Sequence, residues 1–293
     1  MESKTKNHLI ILILIILLNI LYLFIIQKNN EPFSICGKKN LNRKDIWINV
    51  KKKYGEKNAL SIFPKTYILP NEIMDIYNDN DNDNKQYILK KLWSKARKGV
   101  ELYNNKNKIY RDYKNFDIAQ VYIKNPLLVN GFKFDIRLFM VSFCGLGIFL
   151  YVNGYNVYTE KKFNYNSLDR KTKINQAYGD DKHYIINNLP RTTTDLQNYL
   201  NINLNPIMKY LSYKLNKILS ATNNLCCNND NGTYNIYGLD IELLDNYDPI
   251  VIEINSEPTL KFDDKWKKNL IYKMKEDINN KNFNNNNWIK IIG

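Results

Sequence analysis

Phe132-Lys133-Phe134-Asp135-Ile136-Arg137-Leu138-Phe139-Met140-Val141-Ser142-Phe143 is the stretch on which the fold turns. Residues two apart on an extended chain share a face. Phe134, Ile136 and Leu138 therefore make an apolar row, and Lys133, Asp135 and Arg137 a charged one. Taken alone, this alternation also suits the wet side of an ordinary half-exposed sheet. Two later segments repeat it: Leu239, Ile241 and Leu243 alternate with Asp240 and Glu242, and Ile252 and Ile254 alternate with Glu253 and Asn255. The last two segments can pair as a hairpin around residues 246–249, which brings the oxygen-bearing side chains of Asp240, Glu253 and Asn255 together.

Working outward, the pattern predicts strands over residues 87–90, 118–123, 132–143, 147–152, 234–244 and 250–254. Pro206 opens a helix behind Asn205, with Ile207, Met208, Leu211, Leu215, Ile218 and Leu219 at helical spacing as a core stripe. Strands interspersed with helices make an α+β or α/β domain. The run 78–84 alternates Asn and Asp and reads as a loop. It is no calcium loop, because the sixth position from Asp79 is Asn84 instead of Gly and the twelfth is Lys90 instead of Glu. The Asn-rich tail from Lys265 onward reads as basic and loose at its end.

The chain has 293 residues, enough for one large domain or two ordinary ones, and a formal charge of +14. Four cysteines without a Cys-x-x-Cys spacing argue against a disulfide framework or structural zinc. Two histidines leave little for an imidazole-based metal centre or a nucleophilic triad. Residues 9–26 are apolar apart from Asn19 and Tyr22 and span about 27 Å as a helix, the thickness of a bilayer core. No small-x-small cleavage site follows, so residues 1–30 read as one uncleaved N-terminal transmembrane anchor. Lys28, Lys38, Lys39, Arg43 and Lys44 follow it, favouring a single-pass membrane protein with a cytosolic body. Three basic and one acidic residue lie in the first 30, so the body keeps +12. Such a surface attracts polyanions, among them nucleic acid, anionic lipid and acidic protein tails.

Hard oxygen donors without thiolate or imidazole suit Mg²⁺, which binds through one or two carboxylates and substrate phosphates. Lys133 and Arg137 suit a phosphate or carboxylate. The two together predict a nucleotide-dependent phosphoryl-transfer site. Lys90 adds a further phosphate contact, followed by the basic loop 93–100, in which only Gly99 is small enough to bring backbone N–H groups against a phosphate.

Several segments resemble the tubulin tyrosine ligase-like family, which has the ATP-grasp fold. They are Phe63-Pro64-Lys65-Thr66-Tyr67-Ile68-Leu69-Pro70, Tyr87-Ile88-Leu89-Lys90, the run from Gln120-Val121-Tyr122-Ile123-Lys124-Asn125-Pro126-Leu127-Leu128 to Lys133-Phe134-Asp135-Ile136-Arg137, Tyr237-Gly238-Leu239-Asp240, and Val251-Ile252-Glu253-Ile254-Asn255-Ser256-Glu257-Pro258. The resemblance covers about two thirds of the chain. It implies an α+β ATP-grasp fold of mixed and antiparallel sheets with flanking helices over residues 59–264, after a linker at 31–58 and before a basic tail at 265–293. It implies ATP and Mg²⁺ as cofactors: Lys90, Lys133 and Asn187 on the nucleotide, Gln120, Val121, Tyr122 and Ile123 as the adenine hinge, and Asp240, Glu253 and Asn255 on the metal. Asp135 and Arg137 are the implied catalytic pair. The implied reaction activates a peptide carboxylate as an acyl phosphate for attack by the amine of a free tyrosine, glutamate or glycine. The acceptor would be an acidic protein tail such as tubulin's, with no nucleic-acid partner.

Two departures stand out. The family usually places an Arg for substrate carboxylate where ungapped alignment puts Val157, and its His-Leu-Thr-Asn motif is replaced by His183-Tyr184-Ile185-Ile186-Asn187. They leave open a membrane-tethered ATP-binding protein without ligase turnover. The charge leaves open a basic, membrane-anchored nucleic-acid binder.

Overall fold

The computed structural model describes residues 46–79, 85–92, 99–175, 181–222 and 233–292. The expected anchor at residues 9–26 lies outside these, and no described helix is long and apolar enough to cross a membrane. In chain order the elements are α1 (Trp47–Tyr54), α2 (Glu56–Leu60), β1 (Thr66–Ile68), α3 (Ile73–Asn78), β2 (Tyr87–Lys90), β3 (Val100–Tyr103), α4 (Lys106–Asp112), β4 (Ile118–Val121), β5 (Leu128–Val129), β6 (Phe132–Phe143) and β7 (Gly147–Tyr158). They continue with α5 (Arg170–Lys173), α6 (Asp181–Ile186), α7 (Thr193–Leu200), α8 (Asn205–Thr222), β8 (Tyr234–Leu243), β9 (Pro249–Asn255), α9 (Lys265–Asn279) and β10 (Trp288–Ile292).

These elements form an α+β architecture of two antiparallel sheets. The smaller sheet has the order β1-β4-β2-β3, and the larger β10-β7-β6-β8-β9, with β5 on β6. The apolar row of β6 sits in one cluster with Tyr237, Leu239, Ile241 and Leu243 of β8 and Met208, Leu211, Leu215, Ile218 and Leu219 of α8. The helical stripe read from the sequence is thus core packing. Met208 through Leu219 recur every three or four residues, so one side of the 18-residue helix is apolar and lies on the sheet.

The structure differs from the sequence reading at both ends. Part of the supposed linker is helical: Trp47 and Val50 of α1 are buried in the main core, against the same sheet face as α8. The supposedly loose tail is α9 followed by an edge strand, with Trp288 opposite Tyr151 of β7. Leu270, Ile271, Met274 and Ile278 of α9 cover the second sheet face over Phe139, Val141 and Phe143. Polar Asn and Lys residues occupy the outer side of that helix, which hides its apolar stripe in a composition-based reading.

β7 also runs six residues beyond the expected end at 152, because three of its residues, 152–154, stand opposite Leu138 alone and the strand resumes pairing past this bulge. Gly154 is at the bulge; a Cβ there would collide with the carbonyl oxygen of Arg137.

Candidate active site

The site exists because one face of β6 changes character midway. Lys133, Asp135 and Arg137 share a face with Phe139, Val141 and Phe143, and only the latter three lie in the cluster under α9. Past that cover the same face carries charge. The pairing of β6 with β8 sets Arg137 opposite Asp240, and that of β8 with β9 sets Asp240 opposite Glu253 and Gly238 opposite Asn255. β9 carries an irregularity between the partners of Asp240 and Ile241, so that Glu253 rather than Ile252 stands beside Asp240.

Two ion-pair groups occupy this face. Arg137 Nε donates to Asp240 Oδ1 at 2.7 Å and Nη2 to Oδ2 at 3.0 Å, a bidentate fork. Asn255 Nδ2 donates to the same Oδ2 at 3.2 Å. Gly238 makes room for the fork: a Cβ there would stand 2.9 Å from Pro258 Cβ and 3.2 Å from Arg137 Nη1. Lys133 Nζ lies 2.7 Å from Glu242 Oε2 and 3.2 Å from Asp135 Oδ1. Burial works against the charge on Lys133 and on Arg137, but their carboxylate partners outweigh it, and both titrate above their ordinary ranges. Both stay cationic at any physiological pH. Burial pushes the Glu242 carboxyl upward, with the Lys133 charge pulling the other way.

The smaller sheet supplies the opposite wall. Thr66 is opposite Gln120, which is opposite Ile88, two residues before Lys90, so Thr66, Gln120 and Lys90 share a face. Lys90 Nζ donates to Gln120 Oε1 at 2.7 Å, and Gln120 Nε2 to Thr66 Oγ1 at 3.0 Å. Lys90 is also one of the charges that pull on Glu242, and Tyr122 feels Lys133, Glu242 and Asp135, so the two walls meet electrostatically at Glu242. In the expected hinge, the Val121 and Tyr122 N–H groups are committed to Lys65 and Gln86 carbonyls. Val121 packs its side chain on the far cluster of the small sheet, while Ile123 follows β4 and is half-buried. The basic loop 93–98 lies outside the described residues.

The structure thus brings Lys133, Asp135, Arg137, Asp240, Glu253 and Asn255 onto one face, with Lys90, Gln120 and Tyr122 on the facing wall. It does not bring Asn187 there. The Asn187 amide bonds the His183 carbonyl at 3.0 Å, and His183 meets Phe132 edge-on, in the apolar row. Val157 stands opposite Asp135 and packs on the cluster beneath α9, so that position holds no guanidinium.

Sequence reasoning missed four residues. Glu242 was legible, being two positions beyond Asp240 on the same strand face. Tyr165 and Asn175 lie in irregular chain, and Lys173 ends α5, a four-residue helix too short to show periodicity. Lys173 Nζ sits 4.7 Å from the Tyr122 ring centroid and 5.0 Å from that of Tyr165, while its carbonyl accepts from the Tyr122 hydroxyl at 2.8 Å. Burial pulls the Lys173 ammonium down to about 8. Asn175 is buried with neither amide atom hydrogen-bonded, a side chain that needs a partner.

Among the described residues no three Asp, Glu, His or Cys side chains form a metal cage of their own. Asp240, Glu253 and the Asn255 amide oxygen fit the other mode, in which Mg²⁺ takes one or two carboxylates and completes its shell with water and substrate phosphates. The charged groups of Lys90, Lys133 and Arg137 have the chemistry that suits phosphate oxygens.

The sequence profile of the Tubulin-tyrosine ligase family matches residues 27–287. The chain is 27% identical over 269 residues to a probable tubulin polyglutamylase of Caenorhabditis elegans, covering 80% of this chain and 64% of that protein. It is 26% identical over 265 residues to a probable alpha-tubulin polyglutamylase of Tetrahymena thermophila, covering 80% and 63%. Against a tubulin polyglutamylase of Mus musculus it is 26% identical over 237 residues, covering 70% of this chain and 17% of the relative. The chain therefore spans less than two thirds of the length of each of these relatives.

Proposed function

The chain is a member of the Tubulin-tyrosine ligase family, and on that premise we propose that it is an ATP- and Mg²⁺-dependent carboxylate–amine ligase of the ATP-grasp kind, adding glutamate to an acidic protein tail such as that of tubulin. The observation that carries the reading is the charged face of Lys133, Asp135, Arg137, Asp240, Glu253 and Asn255, opened where the cover of α9 ends and faced by Lys90 and Gln120. Glutamate is chosen because the relatives are named as polyglutamylases.

In this reading an acceptor carboxylate oxygen attacks the terminal phosphorus of ATP, and ADP leaves. The amine then attacks the acyl carbon, inorganic phosphate departs, and an amide remains. Asp240, itself held by the Asn255 amide, anchors Arg137, so its guanidinium is positioned before substrate arrives and stabilises charge gathering on the transferred phosphoryl group. Lys133, held by Glu242 and Asp135, and Lys90, held by Gln120, do the same along the polyphosphate. Asp240, Glu253 and Asn255 would hold Mg²⁺, which when bound would supply charge compensation for the phosphates. Residues 9–26 would tether the body to a membrane. Carbonate extraction of the full chain checks this: release into the supernatant speaks against an integral anchor.

The catalytic test uses full-length chain with Mg²⁺-ATP, tubulin and labelled Glu, Tyr or Gly, beside Glu253→Gln. Labelling by wild type, reduced at least about tenfold in the variant, is expected, since losing a carboxylate ligand weakens the metal and its neighbours. Full activity in Glu253→Gln contradicts the metal assignment. Val157 favours a second reading, a nucleotide binder without transfer. ATP binding with no labelling across the three amino acids and several acidic acceptors would support it.

A further inference from the structure

Glu242 is 3% exposed, and one of its carboxylate oxygens, Oε2, is held by Lys133. The other, Oε1, is buried without any hydrogen-bond partner. A buried acceptor left unmet costs more than an ordinary hydrogen bond returns, so the fold tolerates this oxygen only where something else meets it. Its location narrows what that is. Along β8, Glu242 lies two residues beyond Asp240 on the same face, about 7 Å from it. Asp240, with Glu253 and Asn255, marks the metal and phosphate end of the site. In the opposite direction Glu242 lies within the electrostatic reach of Tyr122, at the end of the Gln120–Tyr122 segment. A carboxylate oxygen repels phosphate, so its partner belongs to the uncharged end of a nucleotide.

Resting on the nucleotide-site reading above, we propose that Glu242 is a specificity-determining residue, whose unpartnered oxygen accepts a hydrogen bond from a donor on the nucleoside moiety. Two groups supply that chemistry: the exocyclic amine of adenine and the ribose hydroxyls. Bases that present a carbonyl instead of the amine would set two acceptors against each other in a dry pocket, and deoxy sugars would leave Oε1 unmet. Either mismatch is penalised by the site, which is how a buried polar group creates discrimination larger than its own contact energy.

The test measures dissociation constants of the full-length wild-type chain for ATP, ITP, 2′-deoxy-ATP and 3′-deoxy-ATP, each with Mg²⁺, and repeats them for Glu242→Leu and Glu242→Gln. Wild type is expected to bind ATP roughly tenfold or more tighter than the analogue that lacks the donor; which analogue loses identifies the base or the sugar. In Glu242→Leu that ratio falls to near one, even if overall affinity drops because Lys133 has lost its partner. Glu242→Gln guards against a leucine variant that does not fold. Lys133 carries only donors, so it claims the glutamine carbonyl and turns the amide NH₂ toward the ligand. The preference should then weaken and, if the base is read, invert in favour of ITP. A wild-type ratio near one for all three analogues, or a ratio unchanged in the folded variants, overturns the assignment while ATP binding keeps the site. Absence of binding to any nucleotide sinks the site reading itself, and this inference with it.

Discussion

Lys173 shows what burial without a counter-charge does to a single residue. It is 1% exposed, and its ammonium lies over the rings of Tyr122 and Tyr165 and donates to the Tyr165 carbonyl at 2.5 Å. Ring faces and a carbonyl attract a cation, yet desolvation wins and the group titrates near 8 instead of 10.5. The folded-state pKa is lowered, so below 8 both folded and unfolded chains carry the proton and the burial penalty is constant. Between 8 and 10.5 the unfolded chain binds more protons than the folded one, and stability rises with pH. Lys173→Met removes the titration. Denaturant unfolding of wild type and variant from pH 7 to 10 should show the variant's relative advantage falling as pH rises, by at most about 3 kcal/mol. A pH-independent difference would show that Lys173 pays no desolvation penalty in the fold.

The same residue marks the limit of reading a site from sequence. Lys133, Asp135 and Arg137 announce themselves because a strand has period two and their partners do not. The Asp240 and Glu253 strands announce themselves for the same reason, and their hairpin follows from a short polar turn. Glu242 belongs to the same alternation, but its importance lies in an unmet oxygen, which only three-dimensional packing reveals. Lys173 and Asn175 sit between β7 and α6, where no repeat distinguishes a buried lysine from a solvated one. Asn187 drew attention through its place near His183, yet the α6 backbone turns its amide back onto its own helix.

At the scale of elements, α9 decides where the site begins. Its apolar side covers Phe139, Val141 and Phe143, and beyond that cover the face passes to Arg137. Tyr155, opposite Arg137, makes T-shaped contacts with both Phe262 and Trp266 at the boundary. Sequence patterning could not place this helix, because it lies more than 120 residues beyond β6 and its polar side is written in the Asn- and Lys-rich alphabet used throughout the chain. Met274 is fully buried at the centre of the contact. Met274→Ala is expected to cost about 2–4 kcal/mol in denaturant unfolding through lost transfer energy and the cavity left behind. A cost below about 0.5 kcal/mol would mean that α9 does not hold the sheet face as described. Nucleotide affinity, read at a temperature where the variant stays folded, should change less than stability, since Met274 belongs to the apolar cluster under α9.

For the whole molecule, the governing quantity is charge. The chain carries +14, but the cations at the site are largely spoken for: Lys133 by Glu242 and Asp135, and Arg137 by Asp240. Local pairing leaves the long-range field to the remaining lysines and arginines, and a field of that sign raises the encounter rate with an acidic acceptor. Exposed charges are screened over about 10 Å at 0.1 M salt, and buried pairs much less. Raising ionic strength from roughly 0.05 to 0.3 M should therefore increase the KM for an acidic tail peptide several-fold, while kcat, set by groups already in contact, stays nearly constant. A peptide of the same length with its acidic residues other than the acceptor replaced by Gln should show little salt dependence and a high KM throughout. If both peptides respond to salt equally, the surface charge does not select the acceptor, and recognition must reside in contacts at the site itself.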